Sequence, residues 1–164
     1  MKVIVIVLLF FLGVSLPPGS VKAYSTYDMT GQVRKTLESN PLDRDYKRDM
    51  YKPENGTTVG MTRVEDKYLK LWDRELNVIY QKLLLKLNDE QKELLIDSQV
   101  AWLQYHETEL GFVCKTLNKN AGSFFIVQQA ESFRLRLRER TLQLMAYYRR
   151  LGGEIEFEYK GNEE

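Results

Sequence analysis

From Met61 onward the apolar positions fall into a helical rhythm. Leu69, Trp72, Leu76, Ile79, Leu83 and Leu87 step by three or four residues, the spacing of one helix face. Asn88-Asp89-Glu90-Gln91 then reads as a helix restart, with Asn88 capping the new N-terminus and Gln91 reaching back to it. A second long helix follows, carrying Leu95, Ser98, Ala101, Trp102, Tyr105 and Phe112, and fraying between Gly111 and Asn120. Ser123 is placed to cap a third helix, in which Val127, Ala130, Leu137, Leu144, Tyr148 and Leu151 share a face. Arg134 and Thr141 interrupt that face, and Gly152-Gly153 ends the helix.

The flanks read differently. A short helix is expected around residues 28–39. Residues 40–60 contain two X-Pro steps and Asn55-Gly56, which are turn and extended signals, so the segment 24–60 is expected to be mostly loop. Residues 152–164 form an acidic tail with only brief acid–apolar alternation, expected to be loose. No strand-rich region or repeat is evident. The expectation is an all-α protein, an antiparallel bundle of three long helices over residues 61–151 with a short helix near the N-terminus.

The first 23 residues stand apart. A positive start at Lys2 precedes the apolar run of residues 3–16; Pro17, Pro18 and Gly19 break it, and residues 21–23 are Val-Lys-Ala. This is the pattern of a cleavable secretory signal peptide, and the apolar run is shorter than the ~20 residues a membrane span requires. The expected location is therefore secreted or periplasmic, with no membrane span after cleavage. The formal net charge of +1 falls to −1 once Lys2 and Lys22 leave. Neither value is the basic excess of a nucleic-acid binder. Cys114 is the single cysteine and cannot staple its own chain.

Candidates for catalysis are sparse. The glycines form no phosphate-binding loop, and one His (His106) with one Cys is a poor basis for a zinc site. No catalytic residue, metal ligand or cofactor site is assigned, and a non-enzymatic protein is expected. The stretch Arg134-Leu135-Arg136-Leu137-Arg138-Glu139-Arg140 could meet an anionic partner, but a solvated and inter-helix salt-bridge role is expected. Two polar stripes invite explanation: Asp73, Asn77 and Tyr80 on one helix, and Gln99, Trp102 and His106 on the next. Buried polar groups need partners, so the stripes are expected to tie the helices together, with an arginine of the third helix serving Asp73. The alternative is an open groove.

At these residues the sequence resembles the LprI-type lysozyme-inhibitor domain. The resemblance rests on Asp73, Glu75-Leu76-Asn77, Tyr80, Gln99, Trp102-Leu103, Tyr105, Gly122-Ser123 and Arg140-Thr141-Leu142-Gln143-Leu144, within residues 61–151. The family's arginine after the tyrosine is His106 here, and its cysteine positions read as Leu110 and Ser132, so its disulfides are missing. The resemblance implies an exported, helical, non-enzymatic protein whose motif residues Asp73, Leu76, Asn77, Tyr80, Gln99, Trp102, Tyr105 and Arg140 are structural. It also implies a protein partner, with lysozyme the candidate. Charge alone suggests Asp89, Glu90, Glu93, Asp97, Glu107 and Glu109 as the acidic face for such a cationic partner. The alternative is a periplasmic adaptor binding another envelope component.

Overall fold

A computed structural model describes residues 31–116 and 122–161. The signal-peptide expectation lies outside them. Among the described residues there is no strand. The helices are α1 (Gly31–Glu38), α2 (Pro41–Met50), α3 (Thr58–Leu84), α4 (Asp89–Thr116) and α5 (Phe124–Arg150), with a 3-10 turn at Pro53–Asn55.

Local chemistry explains the boundaries. The side chain of Asn40 accepts from the Asp43 N–H at 2.8 Å, and Pro41 occupies the first turn of α2. An N-cap followed by proline is a helix start, so residues 41–50 are helical where a loop was expected. The X-Pro step was a cap, not a break. Thr57 caps α3, accepting from the Gly60 N–H at 3.1 Å. Gly60 also lets the 3-10 turn close against α3, because a Cβ there would lie 2.7 Å from the Asn55 Cα. Between α3 and α4 the expected capping box is present: Gln91 N–H donates to Asn88 Oδ1 at 2.9 Å, and Asn88 N–H to Gln91 Oε1 at 3.1 Å. Ser123, by contrast, makes no side-chain capping bond. Gly152, at φ 75°, ends α5 in the left-handed region.

The core lies between α3 and α5, closed by α2 and the C-terminal tail. Val64, Tyr68, Trp72, Leu76, Ile79 and Leu83 of α3 meet Leu137, Leu142, Leu144, Met145 and Ala146 of α5, with Leu37 and Leu42 beneath them. The tail is not loose. The Phe157 ring stands edge-on to Trp72 at 6.3 Å, and the Glu158 and Tyr159 N–H groups donate to the buried Glu75 carboxylate at 3.1 and 2.7 Å. Tyr159 Oη donates to Asp45 Oδ2 at 2.8 Å, joining the tail to α2. The acids of the tail face outward, while its alternating Ile155, Phe157 and Tyr159 turn inward.

Thr141 and Arg134, which interrupt the apolar face of α5 in sequence, are buried parts of this core. Arg134 Nε donates to Glu65 Oε2 at 2.7 Å, and Tyr46 Oη donates to Glu65 Oε1 at 2.6 Å. The Arg134 guanidinium lies 3.8 Å from the Tyr46 ring centroid. One carboxylate therefore joins α2, α3 and α5. Asp49 forms a second node, joining α2 to α3 by accepting from Lys67 Nζ at 2.6 Å and Tyr68 Oη at 2.9 Å. Burial opposes its ionisation, but the bonds from Lys67, Lys52 and Tyr68 prevail and hold its carboxyl well below the usual carboxylate range.

Candidate partner-binding surface

The four alternating arginines of α5 fan out by side. Arg134 reaches Glu65 of α3, and Arg138 clasps Asp43 of α2 through bonds of 2.5 to 2.9 Å. Arg136 and Arg140, one helical turn apart, face α4 instead. Arg136 Nη2 lies 3.5 Å from Glu109 Oε1, and Arg140 donates to Gln99 Oε1 at 2.9 Å and Ser98 Oγ at 3.1 Å. Inter-helix contact is thus the arginines' role. The paired residues also fix the direction: Cys114 with Gln129, Glu109 with Arg136 and Gln99 with Arg140 run α4 antiparallel to α5.

The motif residues divide into two groups. Leu76 is buried, and Tyr80 packs at the core's edge. Gln99 and Arg140 bridge two helices, while Trp102 stacks on His106 with ring centroids 5.2 Å apart. Burial, and then the neighbouring Arg136 charge, lower the His106 pKa from its ordinary value. Asp73 and Asn77 behave otherwise. Both are exposed, and their bonds stay within α3, where Asn77 Nδ2 donates to the Asp73 carbonyl at 2.8 Å. The expected Asp73–arginine tie is therefore absent. Each residue turns the helix by about 100°, so pointing Trp72 and Leu76 inward carries Asp73 and Asn77 off the core. Glu65 and Glu75 are the buried acids of α3, and their inward role was missed. The signal was available for Glu65, because stepping back from Leu76 through Trp72 and Tyr68 lands on it.

The acids of α4 do not pair with the α5 arginines, Glu109 excepted. Leu95, Gln99, Trp102 and His106 turn towards α5, so Asp89, Glu90, Glu93, Asp97 and Glu107 project from the far side and are exposed. The helix holds six carboxylates against Lys92 and Lys115. Its apolar residues are also spread around it: Leu94 is 64% exposed, Val100 58% and Tyr105 59%, and no residue of this 28-residue helix is buried. An amphipathic surface helix has one apolar stripe, and a helix apolar on several sides belongs between partners. Ile96, Val100 and Leu103 flank the acid ridge on one side, Leu94 and Phe112 on the other.

The described residues thus form an all-helical fold with a polar-tied core and one long helix left open on its outer side. The family model described as "Lysozyme inhibitor LprI" matches residues 50–144, and the chain belongs to that family. No curated protein and no solved structure matches it. Among the described residues, no helix is long and apolar enough to cross a membrane.

Proposed function

We propose that the protein is exported under residues 1–23 and inhibits lysozyme without chemistry of its own, by seating the outer side of α4 against the enzyme and occluding its cleft. The observation that supports this reading most is the exposed acid ridge of α4 with apolar side chains on both flanks. Lysozyme is cationic, so Asp89, Glu90, Glu93, Asp97 and Glu107 steer the encounter, while the apolar flanks supply the area that holds it. Glu109 is spent on Arg136 and takes no part. On this reading the helical domain of residues 61–151 is the functional unit, and α2 and the tail brace it.

The test is lysis of a cell-wall suspension by lysozyme at low salt, with and without the protein starting at Tyr24. Lysis slows at stoichiometric protein and recovers with the double variant Asp97→Lys/Glu107→Lys. Unchanged lysis at excess protein overturns the proposal. Capture of a different envelope component by the same face, with lysozyme never bound, replaces it with the adaptor reading.

A further inference from the structure

A cleft of about 420 Å³ opens between α4 and α5, lined by Trp102, Tyr105, His106, Arg136, Glu139, Arg140 and Gln143. Its charges are unbalanced. Arg140 is 6% exposed, and its three partners, the Gln99 and Gln143 side-chain carbonyls and the Ser98 hydroxyl, are all neutral. Among the described residues no carboxylate lies within ion-pair distance of it. A guanidinium has five N–H donors, so two of Arg140's remain after those bonds. Arg136 has one long contact to Glu109, and its Nη1 is buried without a hydrogen-bond partner. Buried cations are ordinarily matched by an anion, and guanidinium groups match carboxylates in geometry as well as charge.

The remaining walls narrow the ligand. Tyr105 presents an exposed ring, an apolar face of the kind on which the C–H face of a pyranose packs. Glu139 makes no bond to the described residues and offers an acceptor for hydroxyl groups. The volume is that of a small-molecule site. We propose that this cleft binds a carboxylated pyranose, its carboxylate on Arg140 and Arg136 and its ring against Tyr105. The site is separate from the acid ridge of α4, which lies on the helix's opposite side.

The experiment is a titration of the isotope-labelled protein, following the Trp102 indole N–H and the Arg140 Nε–H. The probes are N-acetylmuramic acid, whose carboxylate sits on an ether arm, N-acetylneuraminic acid, whose carboxylate sits on the ring, neutral N-acetylglucosamine, and acetate. The expected result is that at least one sugar acid shifts both signals and binds about tenfold or more tighter than the neutral sugar and acetate, a difference of ~1.4 kcal/mol. The tighter of the two acids identifies the source. Tyr105→Ala weakens that acid about tenfold, and Glu139→Gln, by removing a like charge, does not weaken its carboxylate contact. Absence of shifts up to roughly 10 mM, equal binding of the neutral sugar, or indifference to Tyr105→Ala overturns the proposal. None of these outcomes alters the lysis assay, so the two readings fail separately.

Discussion

The α3–α5 pair and α4 are built from similar amounts of apolar residue, yet they use it in opposite ways. In α3 and α5 the apolar side chains concentrate on facing stripes and disappear into one core, with Trp72, Tyr68, Leu144 and Met145 almost wholly enclosed. In α4 they are distributed around the helix, and none is buried. The polar groups are divided just as sharply. The α3–α5 pair encloses polar groups that find partners there, as with Glu65, Arg134 and Thr141, whereas the acids of α4, Glu109 excepted, form an open ridge. Helical propensity is therefore not what separates framework from surface. The distribution of apolar residues around each helix is.

Breaking the framework should have the largest effect. Arg134→Met leaves the Glu65 carboxylate buried and without its cation, and should cost about 3–5 kcal/mol in denaturant unfolding. A second change, Glu65→Leu, restores much of that by removing the orphaned charge. Loss under 1 kcal/mol for Arg134→Met would mean that Glu65 is not held as described.

The same truncation placed in each region tests the comparison directly. Leu144→Ala should cost about 2–5 kcal/mol, and Leu103→Ala on α4 about 0.5 kcal/mol or less in the isolated protein. Equal costs would show that α4 is enclosed in solution. Between these lies Gln99→Ala, which removes an acceptor from buried Arg140 and should cost about 1–3 kcal/mol. Its effect should concentrate in α4, read as faster amide exchange there than in α3.

The smallest effect is a difference in pH response. The His106 pKa is lowered in the folded protein, so its contribution is complete above its unfolded value, about 6.5, and is lost as pH falls through the folded value. Asp49 is also depressed, so its contribution is complete above about 3.9 and is lost only at still lower pH. Mild acid should therefore disturb the signals of Trp102 before those of Trp72. Simultaneous change of both indoles would contradict the separation of the two regions.

Much of this was legible in the residues. The three long helices follow from three-and-four spacing, the α3–α4 junction from Asn88 and Gln91, and the α5 stop from Gly152, because each signal acts within one turn of chain. Residues 41–50 were misread because Asn40-Pro41 carries both a turn signal and a helix-start signal, and packing of Leu42 against the core selects between them. Asp73 was assigned an inward role on spacing alone, although spacing fixes which residues share a stripe and not which stripe meets a neighbour.

The sequence by itself determined the three long helices, the capping box between α3 and α4, the family and the concentration of acid on α4. Tertiary structure decided which arginine meets which acid, that the tail closes the core through Glu75, that α4 keeps its acids outward, and that Arg140 lies buried among neutral partners beside a cleft. The physical reason is range. Helix formation and capping depend on bonds between residues close in the chain, whereas burial of a charge depends on what distant segments, such as Glu65 and Arg134, bring to it.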